Sequence, residues 1–153
     1  MDATGRFAEF LAGNHLKMTR ERRAILEEVL AVRGHFTADD LLRIFRRKRR
    51  QVARATLYRT LARLVESRLV HKIEMAEGQA RYEPMFGRHH HDHMICLRCG
   101  RIVEFESREI ERAQDEICRR KRFRMIDHTH QLRGHCADCS RRMKSRPGAS
   151  PRS

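Results

Sequence analysis

Aromatic residues are scarce in this 153-residue chain: it has no tryptophan and two tyrosines, and aromatic residues make up 6% of the sequence. Hydrophobic residues of all kinds reach 40%. A chain of this length forms one ordinary domain or two small ones, and this composition gives them a thin core. Small folds with thin cores often depend on a bound metal or a second subunit, and we expect one of these here.

Long apolar runs are also missing, since no stretch approaches the ~18 apolar residues that a membrane helix needs. The first ten residues, MDATGRFAEF, lack the charged segment and apolar run of a signal peptide. We therefore expect no membrane partner and a cytoplasmic location. In that reducing compartment, paired cysteines indicate metal ligands before they indicate disulfides.

Acidic residues are outnumbered, with 20 Asp and Glu against 34 Lys and Arg, which gives a net charge of +14. Such an excess opposes compaction through self-repulsion, and phosphate backbones are the commonest partners that use it. Charge alone therefore favours nucleic acid, although a solvated basic surface with no partner remains an alternative.

Residues 1–85 carry the patterns of three helices followed by a β-hairpin. The first helix opens at Met18-Thr19 and ends near Gly34, with Ile25, Leu26, Val29 and Leu30 at helical spacing. The second begins at Thr37, where Asp40 completes a capping box, and the basic run after it is expected to be solvated. The third covers 51–70, and an alternating hairpin with a turn at Glu77-Gly78 follows. This order predicts a winged helix-turn-helix domain.

The outer side of the third helix presents cations and hydrogen-bonding groups. They are Arg54, Thr56, Tyr58, Arg59 and Arg63. A helix of this kind fits the major groove of DNA, where arginine pairs with guanine through two hydrogen bonds. An ordinary exposed basic helix is the alternative, but the predicted wing behind it favours DNA.

Residues 86–139 predict a small α+β domain. Strands are expected near Met94-Ile95, 101–105, 123–126 and 130–133, with a helix capped by Ser107 among them. The apolar face of that helix is Ile110, Ala113 and Ile117. Residues 140–153 are basic and rich in turn formers, which predicts a disordered tail.

Two C-x-x-C units, Cys96 to Cys99 and Cys136 to Cys139, bracket the predicted small domain. Two such turns can supply four thiolates ~2.3 Å from one tetrahedral zinc, and a closed shell of this kind is structural rather than catalytic. A redox pair of disulfides is the alternative. Cys118 stands alone on the helix and is expected to be a small buried hydrophobe.

The segment HHHDH, residues 89–93, supplies imidazole and carboxylate groups that suit Fe(II), Zn, Mn, Co or Ni. Side chains alternate across a strand, so His91 and His93 would point one way and His90 and Asp92 the other. One stretch could then serve two sites. A tag remnant is the alternative, but a tag would sit at a terminus and would lack the aspartate.

The winged helix with ARATLYRTLARL, the block HHHDHMICLRCG and the closing C-x-x-C together resemble the ferric uptake regulator family from Lys17 to Cys139. The resemblance implies an α+β fold class, with an N-terminal winged helix-turn-helix domain and a small dimerisation domain that carries a four-cysteine zinc site. It implies a homodimer that binds a double-stranded DNA operator, represses iron-uptake genes when Fe(II) is bound, and has no small-molecule substrate or enzymatic activity. Mn(II), Co(II) or Zn(II) would be able to replace the regulatory iron.

The resemblance also implies site residues. The structural zinc would be held by Cys96, Cys99, Cys136 and Cys139. A regulatory metal at the hinge between the domains would be held by His35, Glu83, His91 and His93, with Glu104 as a further ligand. A third site, within the dimerisation domain, would comprise His90, Asp92, Glu111 and His128. DNA would be contacted by Lys17, Arg54, Thr56, Tyr58 and Arg59, with Lys17 at the backbone or minor groove.

Two departures from the family pattern bear on these assignments. The segment 84–89 between Glu83 and His90 is slightly longer than expected, which weakens the Glu83 assignment. His130 and His135 are additional candidate ligands near the third site.

Two other functions compete. A family sensor of zinc, manganese, nickel or peroxide is the first, although peroxide sensors resemble this pattern with aspartates where Glu83 and Glu104 stand. A metal-dependent hydrolase is the second; it would need an open zinc position beside a base, and no H-E-x-x-H motif is present.

Overall fold

The computed structural model describes residues 1–75, 78, 80–87 and 90–144. The chain divides into two compact units, Met1–His89 and His90–Ser153. The division lies a few residues after position 85, where the winged-helix domain was predicted to end. Within the described ranges, no helix is long and apolar enough to cross a bilayer.

The described residues of the first unit form four helices and an antiparallel hairpin. The helices are α1 (Ala3–Gly13), α2 (Arg20–Ala31), α3 (Ala38–Arg47) and α4 (Arg54–Glu66), and the strands are β1 (Val70–Glu74) and β2 (Ala80–Pro84). The winged helix-turn-helix order predicted for α2 to β2 is confirmed. Gly78 has a positive φ of 71°, as the predicted turn requires; its neighbour Glu77 lies outside the described residues.

The prediction of three helices was wrong in number, because α1 precedes them. The side chain of Asp2 accepts a hydrogen bond from the Gly5 amide at 2.7 Å and caps this helix. Phe7 and Leu11, one helical turn apart, are fully buried. This spacing is visible in the sequence and was the available signal.

The predicted capping box at the start of α3 is confirmed. The Thr37 amide donates to the Asp40 carboxylate at 2.8 Å, and the Asp40 amide donates to the Thr37 hydroxyl at 3.1 Å. Hydrogen bonding from the Thr37 side chain, the largest cause, lowers the pKa of Asp40. The box fixes where α3 begins, immediately after His35 and Phe36.

All four helices and both strands of the first unit contribute to one hydrophobic cluster. Leu57, Leu61 and Leu64 of α4 are fully buried in it. Burying a leucine side chain contributes about 1.5–3 kcal/mol, so this face holds α4 firmly against the unit. The opposite face, with Arg59 exposed, is thereby turned outward.

Helices α1, α3 and α4 end in the same way as α5 (Arg108–Arg120) of the second unit. The residue after each cap has a positive φ between 52° and 58°, and the next amide donates to a carbonyl five residues earlier; the positive-φ residues are His15, Arg49, Arg68 and Arg122. This arrangement is the Schellman motif, which satisfies carbonyls at the helix end.

The second unit contains strand β3 (Asp92–Cys96), strand β4 (Ile102–Phe105), helix α5 (Arg108–Arg120), strand β5 (Gln131–Gly134) and helix α6 (Ala137–Lys144). The sheet order is β4-β3-β5, with β4 antiparallel and β5 parallel to β3. Three predicted strands and the helix capped by Ser107 are confirmed.

Two expectations for this unit were wrong. Residues 123–126 form no strand: they pair with none of β3, β4 and β5, and Phe123 and Ile126 are 66% and 73% exposed. Helix α6 was also missed, and it includes Ser140–Lys144, which the sequence analysis placed in a disordered tail. Residues 145–153 lie outside the described residues.

The second unit has little apolar core within the described chain. Helix α5 has no buried residue, and Ile117 of its expected buried face is 52% exposed. Met94 of β3 lies opposite Val103 of β4 and Leu132 of β5, and each of the three is more than 40% exposed. Register partners project from the same face of a sheet, so one face of this sheet is an uncovered apolar row.

Candidate metal centres and nucleic-acid surface

The two C-x-x-C units meet at one place in the second unit. Cys96 ends β3, Cys99 follows in the turn to β4, and Cys136 and Cys139 lie at the start of α6. The four sulfur atoms lie within 4.8 Å of one another, and the Cys99 and Cys136 sulfurs are 3.8 Å apart. A tetrahedron with metal–sulfur bonds of ~2.3 Å has sulfur–sulfur edges of about 3.8 Å, so the spacing fits zinc.

All five cysteines are free thiols, so the structure does not contain the pair of disulfides that was the alternative to a zinc site. The lone Cys118 on α5 is half-buried, less than the buried position expected for it. It lies apart from the four-cysteine cluster.

The thiols of the cluster differ in acidity. Hydrogen bonds from backbone amides, that of Cys136 first, lower the pKa of Cys96 to about 5. Desolvation by burial, together with the neighbouring sulfurs, raises the pKa of Cys139 to about 12. Four thiolates so close together cannot all ionise without a compensating cation. The cluster therefore suits a divalent metal, which holds coordinating thiols in the deprotonated form.

A second cluster lies at the other end of β3 and contains His90, Asp92, Glu111 and His128. The Nε2 atom of His90 lies 3.5 Å from Asp92 Oδ1 and 3.4 Å from Glu111 Oε1, and His128 Nε2 lies 3.2 Å from Glu111 Oε1. Asp92 Oδ1 and His128 Nε2 are buried and have no hydrogen-bond partner among the residues that the structure describes. Buried polar atoms without such partners are rare, and a bound cation would satisfy both.

Two further candidate ligands meet inside the first unit. Phe36 and Tyr82 exchange backbone hydrogen bonds of 2.9 and 2.8 Å, and their rings stack at 5.7 Å. This bridge sets His35 beside Glu83, with His35 Nε2 3.5 Å from Glu83 Oε2. Glu83 is only 1% exposed. The start of α3 is thereby tied to the wing strand that carries Glu83.

The second unit holds the rest of the expected hinge set. His93 is 1% exposed and lies opposite Glu104 in the β3–β4 register. The rings of His91 and His93 are 5.0 Å apart, and His91 Nε2 lies 4.0 Å from Glu104 Oε2. His91 therefore groups with His93, whereas His90 groups with Asp92, which is the separation that an alternating strand predicts.

The additional candidates His130 and His135 lie outside these clusters. Among the described residues, neither belongs to a group of three or more metal-ligating side chains. The ring of His130 packs against Phe105 with 6.1 Å between the ring centres, and the carbonyl of His135 accepts from the Ser140 hydroxyl.

The predicted DNA-contacting residues lie in the first unit. Arg54 opens α4 and pairs with Asp39 of α3 at 2.5 Å, Thr56 and Arg59 follow on α4, and Tyr58 is 43% exposed. Lys17 is exposed between α1 and α2, where its carbonyl accepts a hydrogen bond from the Arg22 side chain.

Thr56 and Arg59 line an open cleft of about 1290 Å³ between α2, α3 and α4. Seven arginines and two glutamates line it, so its charge is strongly positive. The contribution of Arg22, Arg46, Arg49 and Arg50 to this cleft was not predicted. The signal for the last three was the basic run itself, which was interpreted as a solvated face.

Comparison with known proteins gives one family. The family model described as "Ferric uptake regulator family" matches residues 13–133. The ferric uptake regulation protein of Campylobacter jejuni is 36% identical over 137 residues, which cover 88% of this chain and 87% of that protein. The Neisseria meningitidis protein of the same name is 35% identical over 136 residues, 88% of this chain and 93% of that one.

Solved structures agree. The Helicobacter pylori ferric uptake regulator, whose structure is described as revealing three functional metal binding sites, has a TM-score of 0.71 and 27% identity, covering 90% of this chain and 91% of that one. The ferric uptake regulator from Pseudomonas aeruginosa, solved with manganese, has a TM-score of 0.72 and 31% identity, covering 83% and 95%. The chain belongs to the ferric uptake regulator family, whose members are metal-responsive transcriptional regulators and not enzymes.

Proposed function

We propose that this chain is a DNA-binding transcriptional repressor in the cytoplasm that senses Fe(II) and controls iron-uptake genes as a homodimer. The observation that carries the proposal is the combination of three sets of metal-ligating side chains with an outward-facing basic helix α4. Proteins named for ferric uptake regulation at about 35% identity support iron as the signal.

The four-cysteine cluster would hold a structural zinc. Its spacing matches a closed tetrathiolate shell, and the second unit has little apolar core of its own. Zinc would join the end of β3 to the start of α6. The metal would then supply stability that packing does not provide.

The regulatory metal would be shared by the two units. His35 and Glu83 alone give two ligands, too few for the four to six that these metals take, and His91, His93 and Glu104 would supply the others. A metal bound by both units would fix the angle between them. The ion would then favour one arrangement of the DNA-binding unit, which is what coupling between metal and DNA requires.

The cluster of His90, Asp92, Glu111 and His128 would form a third site, wholly within the second unit. The buried Asp92 Oδ1 and His128 Nε2 support it. A count of three agrees with the three metal sites named for the Helicobacter pylori protein.

A second copy of the chain would cover the apolar row of Met94, Val103 and Leu132, with Phe123 and Ile126 as further exposed apolar groups. Contiguous apolar surface of this kind marks an interface. A symmetric dimer would set two α4 helices at a fixed spacing, as paired DNA half-sites demand.

Binding of DNA, titrated anaerobically with Fe(II), Mn(II), Zn(II), Co(II) and Ni(II), tests the proposed function. We expect Fe(II) to raise affinity for promoter DNA of an iron-uptake gene by roughly 5- to 150-fold, the range typical of allosteric coupling. Affinity that is the same with and without every metal would refute metal-responsive regulation.

Manganese is the second candidate signal. A zinc-bound manganese uptake regulator is 30% identical to this chain with a TM-score of 0.54. A response to Mn(II) at concentrations where Fe(II) gives none would assign the chain to that class. Glu83 and Glu104 disfavour a peroxide sensor, because such sensors are expected to have aspartate at these positions.

Arg59→Ala and Lys17→Ala should weaken DNA binding in different ways. If Arg59 reads a base, its loss costs about 1–3 kcal/mol on the specific site and little on unrelated DNA. Lys17, as a backbone or groove contact, should weaken all sequences alike and lower the slope of log K against log salt by about 0.9. Both are measured by fluorescence anisotropy over a salt series, and identical behaviour of the two variants would contradict this division of roles.

A further inference from the structure

The end of α3 and the turn that follows it, together called the basic turn, carry five consecutive cations, Arg46 to Arg50, and all five are exposed. The proposed roles of α4 and Lys17 leave this basic turn unexplained. Three observations indicate what it binds.

The first observation is the end of α3. In the Schellman motifs of α1, α4 and α5, the residue after the positive-φ position is apolar: Leu16, Leu69 and Phe123. An apolar side chain is usual there, since it packs against the last turn of the helix. In α3 the same position is Arg50, whose amide donates to Phe45 at 2.9 Å. The backbone at the end of α3 therefore matches that of the other three helices, but the side chain of Arg50 is not the apolar one that the motif usually has.

The second observation is that most cations of the basic turn are not paired with an acidic side chain among the described residues. Lys48 pairs with the buried Glu28 at 2.6 Å, and Arg54 beyond the turn pairs with Asp39. Within the described part of the chain, Arg46, Arg49 and Arg50 have no acidic partner. The negative end of the helix dipole favours cations in the last turn, which accounts for Arg46 and Arg47 but weakens beyond it, where Arg49 and Arg50 lie.

The third observation is position. Arg46, Arg49 and Arg50 line the same cleft of about 1290 Å³ as Thr56 and Arg59 of α4. An exposed helix that could read bases and unpaired cations that line the same cleft are suited to the two chemical parts of DNA, the base edges and the phosphates.

We propose that Arg46, Arg49 and Arg50 bind the phosphate backbone of DNA beside the groove that α4 enters, and that this contact supplies affinity independent of sequence and of the regulatory metal. All three residues belong to the first unit, so the contact does not require the proposed hinge metal. The inference rests on the proposed DNA-binding function.

Arg50→Leu tests the inference, because it gives α3 the apolar residue that the other three helix ends have. We expect a melting temperature equal to or above that of the unsubstituted chain. Binding to two unrelated duplexes should weaken equally, by roughly 5- to 10-fold at 0.1 M salt, and the slope of log K against log salt should fall by about 0.9. The loss should be the same with and without added Mn(II).

Arg49→Gly and Arg122→Gly form a matched pair of variants. Each replaces an arginine at a positive φ of 52° with the residue that adopts this conformation most readily. Both should fold at least as well as the unsubstituted chain, but only Arg49→Gly should lower the salt slope. The measurements are anisotropy with random-sequence duplexes in a potassium chloride series and thermal unfolding followed by circular dichroism.

The possible results separate the two hypotheses. If the unsubstituted protein binds DNA and Arg50→Leu keeps its salt slope, the phosphate contact is refuted and the proposed function stands. A reduced salt slope for both Arg49→Gly and Arg122→Gly would also refute the phosphate contact, because the loss of a positive charge anywhere in the chain would then lower the slope. A native chain that binds no duplex at any salt concentration would overturn both.

Discussion

Cys96→Ser should release the zinc proposed for the four-cysteine cluster and unfold the second unit. Structural zinc contributes apparent free energies on the order of 10 kcal/mol to small domains, comparable with the 5–15 kcal/mol that stabilise a whole protein. The second unit has few buried apolar side chains to compensate, since α5 buries none. The variant should therefore lose metal, dimer and solubility together. Zinc content by mass spectrometry and the sedimentation coefficient are the measurements.

Cys118→Ser is the matched control, because Cys118 is a free thiol outside the cluster. It should keep a full complement of zinc and unfold near the temperature of the unsubstituted protein. Removal of zinc from the unsubstituted protein by a strong chelator should reproduce Cys96→Ser without any change of packing. A zinc-free Cys96→Ser protein that remains a folded dimer would show that the four-cysteine cluster is not what holds this unit.

His35→Ala and His91→Ala should need far more metal than the unsubstituted protein to bind DNA, although 56 positions separate them in the chain. Both side chains would hold the ion that orients the DNA-binding unit. Loss of one ligand should raise the metal requirement by about tenfold or more, because even the loss of a group that merely supports a ligand costs 10- to 100-fold. Zinc content and dimerisation should be unchanged. The measurement is DNA binding by anisotropy, titrated anaerobically with Fe(II) or Mn(II).

His90→Ala is the neighbouring control. Its side chain lies with Asp92 and Glu111, so its loss should soften the second unit and affect metal-dependent DNA binding less. If His91→Ala has the metal requirement of His90→Ala and not that of His35→Ala, the histidine cluster serves one site. Two separate sites would then be the wrong description.

Whether a feature could be predicted depends on how far apart its interacting residues lie in the sequence. The capping box of Thr37 and Asp40 and the cap at Ser107 were predicted correctly because both join residues three positions apart. The separation of His90 from His91 was predicted from the alternation of side chains along a strand, and it is found although both residues precede β3, which begins at Asp92. Helix α1 was missed although Phe7 and Leu11 gave its period.

The strand predicted at 123–126 failed for a physical reason of a different kind. A strand is defined by its partner, and residues 123–126 pair with none of β3, β4 and β5. Phe123 and Ile126 are apolar enough for a strand but lie exposed. The local spacing of apolar residues indicates which side chains favour burial. It does not indicate whether another part of the same chain covers them.

By itself, the sequence determined the chemistry of this protein: the spacing of four cysteines, the alternation in HHHDH and the basic outer side of α4 are all properties of neighbouring residues. The tertiary structure decided which distant groups meet. The Phe36–Tyr82 bridge brings His35 to Glu83, and the fold of the second unit brings Glu111 and His128 to His90. It also placed the basic turn after α3 in one cleft with Arg59. Such meetings depend on the packing of whole helices and strands, whose free energy is spread over many residues, so no short pattern of sequence specifies them.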